Sequence, residues 1–121
     1  MYIDRDVINK YRGYLNFEEM IMDNGMKVIR VSAFSTIAWG GFGICDYCGK
    51  KHEHEYYGYY IPVLNSWYCQ ECFDEFAKKY EYYEEDREIT ELRYRGRIDM
   101  LRNIQNMNTV ELVDLIKSVL L

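Results

Sequence analysis

Four cysteines in two closely spaced pairs constrain this chain more than any other feature of its sequence. They stand as Cys45-Asp-Tyr-Cys48 and Cys69-Gln-Glu-Cys72, with twenty residues between the pairs. Reduced cysteines at this spacing tend to bind metal, and Zn²⁺ prefers four soft ligands arranged as a tetrahedron. The spacing therefore predicts one structural Zn²⁺ ligated by all four cysteines, a closed site that leaves no position for water.

The residues between the pairs predict a β-hairpin. Residues 56–64 and 67–68 are rich in β-prone side chains, and Asn65-Ser66 between them can form a turn. Gly49 follows the first pair at the point where the chain must turn back, and a positive φ there suits glycine. We therefore expect a hairpin to connect the two halves of the metal site.

The second cysteine pair runs into an amphipathic helix. Its apolar side chains recur with the helical period, so Cys72 is expected on the first helical turn; they are Phe73, Phe76, Ala77 and Tyr80. Knuckle, hairpin and cysteine-bearing helix together resemble the treble-clef class of zinc fingers, over about residues 44–83. The resemblance implies a zinc-stabilised scaffold and no particular activity. The predicted fold class is α+β, a small treble-clef-like zinc finger with β-hairpins and C-terminal helices.

The N-terminal segment predicts a helix and a second hairpin. Asp4 is a good N-cap for a helix that ends near Tyr14. Phe17–Met22 and Met26–Phe34 are apolar runs, and Asn-Gly between them is expected to supply the positive φ values of a tight turn. Side chains alternate along the second run, so one face of that strand is expected to be exposed to solvent. The glycine-rich residues 39–44 lack the features of a phosphate loop and are interpreted as a flexible joint.

The C-terminal segment predicts helices. Residues 93–97 alternate as a strand does, whereas a helix is favoured from about Ile98. Asn108 and Glu111 have the spacing of a capping box before an apolar stripe of Val110, Val113, Ile116 and Leu120. Packing of this helix against the domain is favoured over homodimer formation, so monomer and homodimer both stay open. The predicted organisation is an N-terminal lobe of residues 1–43, a zinc finger of residues 44–85 and a helical segment of residues 86–121, all within one compact domain.

Composition narrows the class of protein. With 49% hydrophobic residues and 17% aromatic residues, the chain has enough apolar surface to fold. It starts without a basic segment followed by an apolar one, and it has no apolar run of membrane-spanning length. We therefore expect a cytoplasmic protein with no membrane partner. A formal net charge of −5 argues against a general duplex-DNA binder.

An acidic run and a tyrosine-rich hairpin are the candidate surface for a protein or nucleoprotein partner. Residues 71–91 contain nine acids and three bases. Tyrosines are enriched at interfaces, and carboxylates complement a basic groove. The residues expected to contact such a partner are Tyr57, Tyr59, Glu84, Glu85 and Asp86.

Four arginines support an alternative in which the protein is a nucleic-acid-binding regulator. Arginine binds phosphates through bidentate contacts, and exposed tyrosines stack on bases. The cluster consists of Arg93, Arg95, Arg97 and Arg102. The competing interpretation is that these arginines neutralise the acidic run beside them.

A second alternative is an atypical nuclease. HNH-type nucleases resemble this chain in using treble clefs with two C-x2-C pairs, and Ile61-Pro62 and Asn65 fit that pattern. Tyrosines stand where that family needs its catalytic histidine, and His52 and His54 come too early, in an apparently solvated loop. A second metal at residues 52–55 stays open. We therefore expect no enzyme and assign no catalytic residue.

These observations favour a non-enzymatic, zinc-stabilised binding protein that acts on a macromolecular partner. A short, acidic chain with one finger and no enzyme motif is similar in type to small proteins of phages and mobile elements. That resemblance implies an anti-CRISPR-like inhibitor of a host nucleoprotein defence complex, in the cytoplasm of the host cell.

Overall fold

A computed structural model describes residues 2–120 and has helices packed on a four-stranded sheet, so the predicted α+β class is confirmed. Its elements in chain order are α1 (Arg5–Tyr14), β1 (Glu18–Ile21), β2 (Lys27–Ser32), a first 3₁₀ helix (Phe34–Trp39), β3 (Tyr57–Ile61), β4 (Ser66–Tyr68), α2 (Gln70–Lys79), a second 3₁₀ helix (Glu84–Asp86), α3 (Arg87–Gln105) and α4 (Thr109–Leu120).

The sheet is an antiparallel meander in which each strand pairs with the next one along the chain. The order is β1-β2-β3-β4, and Arg30 of β2 stands opposite Tyr59 of β3. The N-terminal hairpin and the hairpin between the cysteine pairs therefore belong to one sheet. The metal-binding segment is continuous with the rest of the structure through the pairing of β2 with β3.

The β1-β2 turn forms at the predicted place with a different geometry. Met22 donates its N–H to the Met26 carbonyl at 2.8 Å, which leaves three residues in the loop. Gly25 has a φ of 87°, whereas the φ of Asn24 is not positive. Asn24 instead accepts the Met26 N–H through its side-chain oxygen at 3.0 Å. The expectation of two positive φ values was wrong, because a three-residue loop needs only one such residue.

Both faces of the central strands β2 and β3 are covered. On one face, β2 and β3 pack against α3 through a buried cluster of Ile29, Val31, Ala33, Tyr60, Trp67, Tyr94, Ile98 and Leu101. On the other face they pack against α2 through Met26, Val28, Tyr59, Ile61 and Phe73. The expectation that one face of β2 is exposed to solvent was wrong, because α2, which carries Cys72, covers that face.

Gly58 in β3 has no room for a side chain. A Cβ atom at this position would lie 2.5 Å from the Tyr68 carbonyl oxygen and 2.6 Å from the Trp67 ring. The absence of a side chain lets the indole lie across the sheet, where its Nε1 donates to the Val31 carbonyl at 3.3 Å. Gly58 thus sets the packing on the α3 side of the sheet.

A third apolar cluster joins the two terminal helices. Its buried members are Tyr11, Leu15, Phe34, Leu112 and Ile116. The predicted N-cap of α1 is confirmed, since the Val7 N–H donates to the Asp4 carboxylate at 3.0 Å. This cluster draws on both ends of the described chain.

The start of α4 forms the predicted capping box. The Glu111 N–H donates to the Asn108 side chain at 2.9 Å, and the Asn108 N–H donates to the Glu111 carboxylate at 3.2 Å. The buried stripe is shifted from the predicted one, because Leu112 and Ile116 are fully buried while Val110 and Leu120 are exposed.

Helix α3 is continuous through Gly96, so the strand alternative for residues 93–97 was wrong. Glycine costs a helix about 1 kcal/mol relative to alanine. Burial of Tyr94, Ile98 and Leu101 against the sheet offsets that cost. Ile89 and Leu92, in the first two turns of α3, are exposed.

The glycine-rich loop of residues 39–44 packs against Ala33 and Thr36. A Cβ on Gly41 would lie 2.8 Å from the Thr36 Cβ, and one on Gly43 would lie 2.8 Å from the Ala33 Cβ. Thr36 Oγ1 also accepts the Gly43 N–H at 3.1 Å. The sequence predicted a flexible joint here, whereas the loop folds back onto the first 3₁₀ helix.

None of the helices within residues 2–120 combines the length and the apolar character needed to cross a bilayer.

Candidate metal centre

The four cysteines converge on one point between the first knuckle and the start of α2. One Sγ atom from each of Cys45, Cys48, Cys69 and Cys72 lies within 4.8 Å of all the others. The Sγ atoms of Cys48 and Cys69 are 3.9 Å apart, which is far too long for a disulfide bond. These side chains could hold one metal ion.

Local hydrogen bonds shape the first pair into a knuckle. The Gly49 N–H donates to the Cys45 carbonyl at 2.8 Å, and the Cys45 N–H donates to the Lys50 carbonyl at 3.0 Å. Gly49 has a φ of 75°, the left-handed conformation predicted for it. The chain therefore turns back immediately after Cys48 and leaves both sulfurs on one side.

Helix α2 positions the second pair. Cys69 is its N-cap residue, and its carbonyl accepts the Phe73 N–H at 2.9 Å. Cys72 follows in the first turn, as predicted from the helical period of the apolar residues. Phe73 anchors the helix by stacking on Tyr59 of β3, with ring centroids 4.0 Å apart.

Asp46 connects the knuckle to the sheet. Its carboxylate accepts the Trp67 N–H at 2.8 Å, and its own N–H donates to the Trp67 carbonyl at 2.9 Å. This pair of hydrogen bonds fixes Cys45 relative to β4, and β4 leads directly to Cys69. Backbone geometry thus places the two halves of the cysteine cluster together.

The thiols differ in their tendency to ionise. Burial opposes ionisation of Cys45, yet hydrogen bonds from the backbone of Cys48, Cys69 and Tyr47 outweigh it and lower its pKa to about 7. Burial raises the pKa of Cys69. Burial and hydrogen bonds with the neighbouring cysteines raise the pKa of Cys72. Four crowded thiols ionise together only with a counter-charge among them, which a bound divalent cation supplies.

The spacing of the sulfurs fits a tetrahedral ion. Four sulfurs about 2.3 Å from a central Zn²⁺ are separated by edges of about 3.8 Å. The 3.9 Å separation of the Cys48 and Cys69 sulfurs matches such an edge, and the 4.8 Å limit on the other pairs requires only small adjustments. The donor set and its size therefore fit a metal that binds through sulfur alone.

The two histidines pack against aromatic side chains. His54 Nδ1 is 3.0 Å from the Tyr11 hydroxyl and shares a hydrogen bond with it. The His52 ring stacks on Tyr56 with centroids 4.1 Å apart, and burial lowers the pKa of His52. The interpretation of these residues as part of a solvated loop was wrong. Within residues 2–120, no group of three ligand side chains other than the cysteines is close enough to hold a second metal.

The tyrosines of the hairpin are mostly covered. Tyr59, expected at a partner surface, is only 7% exposed because it stacks on Phe73 beneath α2. Tyr60 is buried on the opposite face. Tyr57 is half-buried, with its hydroxyl donating to the Asn16 carbonyl at 2.9 Å and the Arg30 guanidinium 4.5 Å from its ring centroid. The expectation of an exposed tyrosine face on the hairpin was wrong.

An exposed tyrosine that the sequence interpretation missed lies in the knuckle itself. Tyr47 stands between the two cysteines of the first pair and is 75% exposed. Its ring centroid is 5.6 Å from that of Tyr68. Its position in the sequence was a usable signal, because a residue inside a C-x2-C pair lies at the tip of the knuckle.

The acidic candidates lie around the second 3₁₀ helix. Glu84 and Glu85 are exposed, and Glu84 forms an ion pair with Arg87 at 2.6 Å. Asp86 accepts the Tyr80 hydroxyl at 2.8 Å, and burial together with this bond raises the pKa of Tyr80 to about 12. Two of the three predicted acids thus present their carboxylates to solvent, and the third is tied to the end of α2.

The four candidate arginines do not form one open patch, since each contacts other parts of the protein. Arg93 donates to the carbonyls of Pro62 and Val63 at 3.2 Å each. Arg97 donates to the Asn65 side chain at 3.1 Å and lies over the rings of Trp39 and Tyr60.

The other two arginines pair with carboxylates. Arg95 is 3.0 Å from Glu91, and Arg102 is 4.0 Å from Glu19. Only the Arg95 pair involves the neighbouring acidic run as the competing interpretation expected. The structure therefore assigns packing or ion-pair contacts to all four arginines.

Comparison with known proteins gives no match to this chain among family models, curated proteins or solved structures.

Proposed function

We propose that this protein is a non-enzymatic binding protein whose cysteine cluster holds one structural Zn²⁺. The observation that carries the proposal is the convergence of four cysteine sulfurs within 4.8 Å. Four sulfur ligands complete a tetrahedral shell, and a complete shell has no position for substrate or water. The metal would then supply folding free energy rather than chemistry.

Metal analysis of the purified protein tests this first step. We expect one zinc per chain by mass spectrometry under native conditions and by elemental analysis. A tetrahedral four-sulfur site also suits iron, which gives a coloured protein with visible absorption, unlike zinc. Iron at full occupancy, or no metal at all in protein expressed with zinc, would contradict the assignment.

The partner class that fits is a protein with a basic surface, such as a nucleoprotein. Glu84 and Glu85 are exposed side by side, and Asp86 follows them in the acidic run of residues 71–91. Complementary charge accelerates association and selects among partners. An anti-CRISPR-like inhibitor would use such a surface against the nucleic-acid channel of its target. Arg93 and Arg97 are held by contacts within the protein, which leaves Arg95 and Arg102 as the exposed members of the nucleic-acid-binding alternative.

A charge-reversal pair tests the acidic surface. Poly-L-lysine on a sensor serves as the basic probe, and Glu84→Lys with Glu85→Lys is expected to weaken binding about tenfold or more. The matched control is Asp6→Lys with Asp114→Lys, which makes the same change of net charge on exposed positions of α1 and α4. An equal loss in both double variants would show that only net charge matters and would overturn the assignment of the surface.

A further inference from the structure

A groove beside the cysteine cluster is the feature that the proposed function leaves unexplained. It has a volume of about 640 Å³ and runs between the tip of the first knuckle and the outer side of α2. Four aromatic rings form most of its wall, and two carboxylates lie on its edge. The rings belong to Tyr47, Tyr68, Phe76 and Tyr80, and the carboxylates to Glu71 and Glu75.

The aromatic rings form a continuous series from the knuckle to the end of α2. Tyr47 is 5.6 Å from Tyr68, Tyr68 is 6.0 Å from Phe76, and Phe76 is 4.8 Å from Tyr80, measured between ring centroids. The contacts alternate between tilted, edge-on and stacked. All four rings line the groove, and an aromatic ring attracts a cation to its face through its quadrupole.

The charges around the groove favour a cationic occupant. Glu71 and Glu75 are exposed and line the groove, and the side chain of Cys72 forms part of the wall. A Zn²⁺ bound by four thiolates carries a formal charge of about −2. Carboxylates, thiolates and ring faces all attract positive charge, so a neutral apolar segment would use only part of this wall.

Glu75 already pairs with two exposed lysines: Lys78 Nζ lies 3.3 Å from its carboxylate, and the second, Lys79, lines the groove. Its Nζ lies 3.9 Å from the Glu75 carboxylate at the edge of the groove. The Lys79 side chain is 80% exposed, so it can move aside at little cost when another cation arrives. This lysine therefore acts as a weak internal competitor for the same carboxylate.

The groove is also continuous with the acidic surface. Tyr80 lines its far end and donates its hydroxyl to Asp86, next to Glu84 and Glu85. A basic segment that contacts the acidic residues would therefore reach the aromatic wall without leaving the protein surface.

We propose that this groove binds a lysine or arginine side chain from an exposed basic segment of a protein partner, with the cation against Tyr47 and between the two carboxylates. The proposal rests on the proposed function, because the charge of the metal centre and the position of Tyr47 both require a bound metal. Tyr47 couples recognition to metal occupancy, since it lies inside the first cysteine pair.

The test is an NMR titration of ¹⁵N-labelled, metal-loaded protein with two short capped peptides. One peptide alternates glycine with arginine and lysine, and its matched copy replaces them with citrulline and norleucine, which are neutral and of similar shape. We expect shifts of the Tyr47, Phe76 and Tyr80 amides with the basic peptide and at least a tenfold weaker response with the neutral copy. Equal responses to the two peptides would overturn the proposal.

Variants of exposed side chains assign the binding to the groove without unfolding the protein. Tyr47→Ala and Glu75→Gln are each expected to weaken peptide binding about fivefold, whereas Lys79→Gln should strengthen it about twofold. The matched controls, Tyr2→Ala and Glu53→Gln, remove an exposed ring and an exposed carboxylate outside the groove and should leave affinity unchanged. Loss in the control variants as large as in the groove variants would contradict the assignment.

Three further outcomes separate this proposal from the one on which it rests. Poly-L-lysine binding that depends on Glu84 and Glu85, without any effect of Tyr47→Ala, would refute the groove and leave the acidic surface in place. Binding of a single-stranded oligonucleotide in preference to the basic peptide would refute both. Absence of metal from the purified protein would remove the metal-dependent argument for the groove as well as the zinc assignment.

Discussion

The cysteine region and the terminal-helix region of this protein are stabilised by different means. The cysteine region, residues 44–52 and 69–79, buries Phe73 against the sheet, but residues 46–51 of its knuckle are all exposed. In the terminal-helix region, α1 and α4 bury a continuous apolar cluster that includes Tyr11, Leu112 and Ile116. The contrast indicates that the knuckle depends on the proposed metal ion, whereas the terminal helices are held together by a hydrophobic cluster.

Removing a metal ligand is the most direct way to break the cysteine region. Cys72→Ser is expected to lower the free energy of unfolding by on the order of 4 kcal/mol, because loss of a bound metal belongs to the severe class of changes. Metal content should fall below one ion per chain, and amides of α2 should lose hydrogen-exchange protection before those of α1 and α4.

The terminal-helix region supplies the control for that result. Chelation of the metal should leave protection in the cluster around Ile116 largely intact if the two regions are stabilised separately. Simultaneous loss of protection in α2 and α4 would show instead that the protein unfolds as a single unit.

A cavity in the terminal-helix cluster is the corresponding test of the other region. Leu112 is fully buried, so Leu112→Ala should cost about 3 kcal/mol through lost burial and an unfilled cavity. Metal content should stay at one ion per chain. Urea denaturation followed by circular dichroism measures the loss, and Val110→Ala, which truncates a 70% exposed side chain on the same helix, should cost under about 0.5 kcal/mol.

Gly58 tests the sheet that joins the two regions. Gly58→Ala forces a methyl group against the Tyr68 carbonyl and the Trp67 ring, and we expect a cost of about 2 kcal/mol from overpacking. Since the backbone of Trp67 is bonded to Asp46, the substitution should also weaken metal binding in a competition assay with a chelator. Unchanged metal affinity would show that the cysteine region is insulated from the sheet.

Gly96→Ala is the matched control for that change. A Cβ at Gly96 would have no neighbour within 4 Å, and alanine is the better helix former. This variant should be more stable than the parent by about 0.5–1 kcal/mol, with the same metal affinity.

A surface ion pair gives the smallest expected effect and sets the scale for the others. Hydrogen bonds from Lys27 and Arg95 lower the pKa of Glu91. Because the pKa of Glu91 is lower in the folded protein than in the unfolded chain, its ionised carboxylate stabilises the fold at pH values above the unfolded-state pKa. This stabilisation is lost as the pH falls through the folded-state pKa. Glu91 is 36% exposed, so Glu91→Gln should cost only about 0.5 kcal/mol at pH 7. The difference between the two proteins should vanish in denaturation curves recorded near pH 3.

Local signals predicted the cysteine cluster and most of the helices and strands. The spacing of Cys45 and Cys48 and the helical period after Cys72 act within a few residues, so the sequence is sufficient to place them. The caps of α1 and α4 at Asp4 and Asn108 are local in the same sense and are confirmed.

Features that depend on distant contacts could not be predicted in this way. Both faces of β2 are buried because α2 and α3, which come much later in the chain, cover them. Burial of Tyr94 and Ile98 overrides the weak helix preference of Gly96. The arginines provide the clearest case, since the partners of Arg97 and Arg102 lie at Asn65 and Glu19.

The pairing of α1 with α4 has a consequence for how the protein is made on the ribosome. Arg12 donates to the carbonyl of Met107, a contact between residues 95 positions apart in the chain. All four cysteines are synthesised well before α4, so the metal can bind while Leu112 and Ile116 have yet to be translated. During that interval the apolar side of α1 has no α4 to cover it and is available to chaperones. The four cysteines precede α4 in the order of synthesis, so a chain paused once Cys72 has left the ribosome should already be able to bind the proposed metal.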